Sequence, residues 1–153
     1  MTTPDYDTDF YAWTQAQARA LQAKDWPALD LDHLAEEIID LGSNHRHAIE
    51  SQMEHLLHHL LKWCYDPARD PRRGWQLSMR HARREIAKLI DESPSLRDHP
   101  ARYLTTAYRH ARGDAAIDTG LPFATFPEAC PWSVEQVLEE DFWPEEQHDG
   151  RQT

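Results

Sequence analysis

Between Leu34 and Trp63, apolar residues recur at the three- and four-residue steps of one helical face, and no proline interrupts them. The series is Leu34, Ile38, Leu41, Ile49, Met53, Leu56, Leu60 and Trp63, with His45 at the position it skips. The phase survives across Gly42-Ser43, so the spacing predicts one helix from about Leu31 to Tyr65. A glycine inside a helix costs about 1 kcal/mol relative to alanine, which leaves a kink or break there as the alternative. Asp30 or Asp32 can cap its start, and the carboxylates Glu36 and Glu37 suit the positive end of the helix dipole.

The remaining segments read as further helices. Phe10, Trp13, Gln17, Ala20 and Leu21 share a face in a first helix, from about Thr8 to Lys24, capped by Asp7 or Thr8. Pro67 and Pro71 mark a loop after the long helix. Trp75, Met79, Ala82, Ile86 and Leu89 or Ile90 then line a third helix over roughly Gly74–Glu92, with Arg73, Arg80, Arg84 and Lys88 on another side. Ser93-Pro94 starts a short turn. Pro100 opens a fourth long helix with Leu104, Ala107, Tyr108, Ala111 and Ala115 inward, closed by Thr119-Gly120. Leu121–Trp132, rich in Phe and Pro, reads as an ordered strap. Ser133 with Gln136 three residues on is a capping-box pattern for a short last helix. Phe142-Trp143-Pro144 reads as a staple for the tail.

The expectation is therefore an all-α helical bundle of four longer helices, a short C-terminal helix and a Pro/Phe-rich strap. Its 153 residues and 40% hydrophobic content suit a single domain over 1–146, with a flexible tail over 147–153. No stretch reaches the ~18 apolar residues of a membrane span, and Met1–Phe10 has no signal-peptide core, so no membrane partner is expected and the cytoplasm is the default. Cys64 and Cys130 stand alone, without CxxC spacing, and read as buried free thiols.

The charge is unevenly spread. Residues 1–61 carry 3 Lys/Arg against 11 Asp/Glu, residues 62–88 carry 8 against 3, and the whole chain is at −11. The basic segment 72–88, with Trp75 inside it, has the composition of a nucleic-acid patch. The overall negative field argues against that partner, and internal complementation of the acidic first half explains the same residues. An anionic ligand on the Arg80/Arg84 face stays open.

Chemistry-bearing residues concentrate in two places. His55, His58 and His59 lie near Glu50 and Glu54, and His55/His59 is an i,i+4 pair that can place two ligands on one metal ion. A pair is incomplete and no HExxH is present, so no metal or other cofactor is assigned. His59 reads as a half-buried hydrogen-bonder, with His55 or His58 in solvent. Glu36, Glu37 and Asp40 could serve acid–base chemistry if one were desolvated, but helix-start carboxylates already have a structural reason. No GxGxxG, P-loop or GxSxG occurs, and neither cysteine stands in a nucleophile context.

Several stretches carry a resemblance. YDTDFYAWTQAQARAL (6–21), LDLDHLAEEIIDLG (29–42), HLLKW (59–63), SPSL (93–96), TGLPFATFPEACPWSVEQVLEEDFWP (119–144) and the region of Trp75 and Arg80 resemble, in order, the bacterial family catalogued as Domain of Unknown Function 29. The resemblance implies an all-helical protein of about this length and brings no catalytic residue. Glu36, Glu37, His59, Trp63, Trp75 and Arg80 match its pattern. His55 and His58 look particular to this chain, which weakens a metal site built on them. Gly74 stands where a Ser is common.

The functional expectation is a non-enzymatic protein-interaction module, binding a protein partner or itself. The alternative is an enzyme or metal-dependent protein with a polar cluster drawn from Glu36, Glu37, His59, Arg80 and Arg84. Nucleic-acid binding through 72–88 is the weaker third.

Overall fold

The structure, a computed structural model, describes residues 3–148. Among them there is no strand. The chain forms α1 (Phe10–Gln22), α2 (Leu31–Tyr65), α3 (Arg72–Glu92), α4 (His99–Thr119) and a short α5 (Val134–Leu138), with 3-10 turns at Trp26–Ala28, Pro94–Leu96 and Phe123–Thr125. This is the all-α class, with four long helices and one short one, that periodicity predicts. α2 is continuous through Gly42, and a Cβ at that position would meet nothing within 4 Å. The chain divides into two compact units, Met1–Asn44 and His45–Thr153.

In the first unit, the cap of α1 is Asp9 rather than Asp7 or Thr8, its side chain accepting from Ala12 N at 3.0 Å. Trp13, Gln17 and Ala20 are buried, whereas Phe10 and Leu21 stay about half exposed. The helix ends in a Schellman motif: Lys24 N bonds Leu21 O, Asp25 N bonds Ala20 O, and Lys24 takes the left-handed position at φ 57°. Asp30 caps α2, accepting from the His33 backbone N–H at 3.4 Å while its carbonyl takes Leu34 N.

One expectation fails here. Ile38 and Leu41 belong to the apolar series of α2, yet they are exposed, together with Leu31 and Ile39. The face of α2 that meets the rest of this unit is Asp30, His33 and Glu37, themselves at steps of three and four. The apolar series lies beside that contact. Periodicity tells which residues share a face, not which face another element covers.

The second unit holds a continuous core. Ile49, Met53, Leu56, Leu57, Leu60 and Leu61 of α2 pack with Trp75, Met79, Ala82, Ile86 and Leu89 of α3, with Ala107, Tyr108, Ala111 and Ala115 of α4, and with Phe126 and Val137. Small residues on α4 and large ones on α2 allow close approach. A polar seam runs along α2 and α4. His99 meets Glu50 at 2.9 Å, Tyr103 and His110 both donate to Glu54 at 2.7 Å, and His58 meets Asp118 at 2.9 Å. Partner numbers rise together, so the two helices run parallel. Gly120 ends α4 at φ 71°, and Ser133 and Gln136 form the expected capping box of α5.

The C-terminal segment is tied down by two arginines. Arg83, only 4% exposed, donates to the carbonyls of Val137 (2.9 Å), Glu140 (3.3 Å) and Phe142 (2.9 Å) and lies over the Trp143 ring. Burial pulls its guanidinium below the ordinary range, against the opposing pull of Glu139, Asp141 and Glu140. Arg72 donates to the carbonyls of Trp63 and Asp66 at the end of α2 and stacks over Trp63 and Trp75. Gln147 and His148, placed in the tail by the sequence, are engaged: Gln147 N donates to Cys64 O at 2.7 Å, and the His148 side chain meets Arg72 and Glu146. The rest of that tail lies outside the described residues.

Candidate functional site

Three surfaces carry the chemistry. The first is the start of α2 in the Met1–Asn44 unit. Leu31, Ile38, Ile39 and Leu41 are 66% to 69% exposed, and Trp26 is 60% exposed. Leu31, Leu34, Ile38 and Leu41 follow one another at steps of three, four and three, the seam spacing of paired helices. Asp30, Asp32, Glu36, Glu37 and Asp40 flank this stripe, and no Lys or Arg intervenes between Lys24 and Arg46.

Glu36 and Asp40 of that stretch are exposed. Glu37 is held by the Tyr6 hydroxyl, which donates to its carboxylate. That bond, aided by burial and by the charges of Glu37, Glu36 and Asp40, pushes the Tyr6 phenol up to about 12. The ring of Tyr6 stacks on His33, centroids 3.9 Å apart. His33 Nδ1 meets Asp30 Oδ2 at 2.6 Å, and Trp13 Nε1 donates to the same oxygen at 3.1 Å. The Asp30 bond raises the imidazole's pKa, and the same bond lowers that of the carboxyl. Sequence reading used Asp30 only as a cap and missed His33 and Tyr6. The Asp-x-x-His spacing was the available signal.

The second surface is the histidine group of α2 in the other unit. His55 and His59 come together with ring centroids 4.2 Å apart, and His58 lies 5.3 Å from His59. His59 is half-buried, as its sequence position implies, and its Nδ1 meets the His55 carbonyl at 2.9 Å, so Nδ1 carries the proton. Burial drives its pKa to about 4, and the charges of His55, His58 and Lys62 add to this against that hydrogen bond. His59 is therefore a neutral imidazole with a free Nε2 lone pair. His58 is committed to Asp118, which Lys62 also binds at 2.8 Å. Among the described residues, no three His, Cys, Asp or Glu side chains converge to hold a metal ion.

The third surface is the exposed side of α3, where Arg73, Leu77, Arg80, Arg84 and Lys88 follow at helical spacing. Arg80 and Arg84 come together on Glu140, at 3.5 and 3.7 Å. These exposed pairs are worth well under 1 kcal/mol each. Within this unit the basic segment is answered by Asp118, Glu140 and Glu146 of the acidic C-terminal stretch. Arg83, in the middle of that segment, is no part of the surface, because its guanidinium caps carbonyls in the interior.

Cys64 is buried and Cys130 half-buried, both free. Burial pushes the Cys64 thiol up to about 12 and raises that of Cys130, the opposite of an activated nucleophile. No described helix is long and apolar enough to cross a membrane.

No curated protein and no solved structure matches the chain. A family model does, over residues 6–143, which takes in the aromatic start of α1, all of the helices and the Phe142-Trp143 staple. The chain belongs to the family described as domain of unknown function DUF29.

Proposed function

We propose that this chain acts in the bacterial cytoplasm as a non-enzymatic protein-interaction module, docking a protein partner or a second copy of itself through the start of α2. The observation that carries the reading is the exposed row of Leu31, Ile38 and Leu41. Contiguous apolar side chains on a helix surface, rimmed by charge, mark a contact surface more often than a solvated one. The three-four-three spacing with half-buried Leu34 fits a partner helix laid alongside. The acidic flanks favour a partner that brings basic residues to the rim. A tagged full chain and its Ile38→Asp/Leu41→Asp variant, each used for pull-down from the native bacterium at low salt, test this. A protein retained by the native sequence and lost with the variant supports the module. A monomeric chain that retains nothing, or equal retention by both, sinks it.

The competing reading is an enzyme or metal-dependent protein built on Glu36, Glu37, His59, Arg80 and Arg84. Its support is His59, a neutral imidazole with a free nitrogen. His59→Gln keeps a hydrogen-bonding side chain and removes the base. A partner-binding phenotype that survives this change speaks for the module. Nucleic-acid binding through 72–88 would use the α3 row, against a net charge of −11.

A further inference from the structure

We propose that the cleft between α4 and the strap of residues 121–132 is a binding site for a small apolar monoanion, an alkyl or aryl carboxylate. The cleft lies wholly within the His45–Thr153 unit and encloses about 500 Å³, in the range of small-molecule sites. Its walls are Leu104, Tyr108, Phe123, Ala129, Cys130 and Trp132. Two of the polar side-chain atoms on those walls are already spent. The Tyr108 hydroxyl donates to the Pro127 carbonyl, and the Cys130 thiol donates to Trp132 O at 3.4 Å. The body of the cleft thus offers apolar and aromatic surface with no free charge, a place for a hydrocarbon chain or ring.

Charge is confined to Arg109, Arg112 and Glu128. Arg112 is fixed in place. Its Nε donates to Phe126 O at 3.1 Å, and its guanidinium sits 3.8 Å from the centre of the Phe123 ring. The Nη groups are left over. Arg109 is exposed and makes no ion pair among the described residues. Two guanidiniums against one carboxylate leave one excess positive charge at this cleft, in a chain whose net charge is −11. That balance selects a single negative charge, and the guanidinium fork matches a carboxylate. The strap thereby has a role beyond covering the core, since it supplies Phe123, Ala129, Cys130 and Trp132 to one wall.

The test is calorimetric titration of the full chain with octanoate, octylamine and octan-1-ol, three ligands with one body and different headgroups. Octanoate is expected to bind at least about tenfold more tightly than the other two. Arg109→Glu should weaken octanoate about tenfold and leave octanol unchanged, as loss of one charge-assisted contact requires. Thr105→Trp, at an exposed α4 position on the cleft, should abolish binding of all three by filling the space. Circular dichroism verifies that each variant folds. No heat with millimolar octanoate overturns the proposal. So does equal affinity for the three ligands, or an octanoate affinity untouched by Arg109→Glu.

Discussion

Arg83 Nη2 donates to the carbonyl oxygen of Phe142 at 2.9 Å, so a buried α3 guanidinium holds the backbone of a segment 59 residues further on. The Nε and Nη1 of the same group bind Val137 O and Glu140 O. Removing it leaves three carbonyls facing the interior without their donors. Arg83→Met should cost about 3 kcal/mol in urea denaturation, and should open the segment after α5 to limited proteolysis before the rest of the chain. Arg83→Lys should recover only a minor part, because a single ammonium cannot reproduce the three-way planar fork.

The exposed stripe predicts a separation of stability from binding. Ile38→Asp with Leu41→Asp changes two exposed side chains and should shift the urea midpoint by no more than about 0.5 kcal/mol of stability, with the self-association or partner binding lost. A large loss of stability measured by the same denaturation would show that the stripe is covered within the chain.

His33 and His59 should titrate on opposite sides of an ordinary imidazole. The Asp30 bond raises His33, while burial drives His59 down to about 4. The two therefore contribute to stability with opposite sign. His33 stabilises fully below the unfolded pKa of about 6.5, and this contribution is lost as pH rises through its folded value. His59 must be neutral in the folded chain, so its contribution is full above about 6.5 and falls away between there and about 4. After discounting for solvent screening, that loss is on the order of 2 kcal/mol. Histidine ring NMR against pH assigns both values. Urea midpoints at pH 7 and pH 5 should differ less for His59→Gln than for the native chain.

Two positions of positive φ predict mutations of opposite sign. Lys24 pays the left-handed conformation in the Schellman motif after α1, so Lys24→Gly should stabilise by about 0.5–1 kcal/mol. Gly120 holds the same conformation after α4, and Gly120→Ala should destabilise by about 1 kcal/mol. Thermal unfolding of both variants reads this directly.

The thiols should be slow. With Cys64 pushed up to about 12 by burial and Cys130 raised by the same cause, an aromatic disulfide reagent at pH 8 should label the native chain far more slowly than the urea-unfolded one. Half-buried Cys130 should react before Cys64.

The helices were legible in the sequence because helical structure is local. The period of Leu34 to Trp63 predicted α2 almost to the residue, Gly120 and the Ser133/Gln136 pair marked their helix ends, and the position of His59 implied its half-buried state. Each of these depends on residues within one or two turns, where propensity, capping and side-chain spacing act directly. What depended on distant partners was not legible. Ile38 and Leu41 carry the same pattern as Ile49 and Met53, yet one pair is exposed and the other buried, because only tertiary contact decides which stretch of an apolar stripe is covered. Arg83 looked like one more residue of a basic surface until the chain brought it three carbonyls from the segment that follows α4 in sequence. The stacking of Tyr6 on His33 had no sequence pattern, and the cleft at Arg109 exists only where the strap meets α4. Local sequence set the helices; the cost of leaving a charge or a carbonyl unpaired in the interior set how their ends and side chains were used.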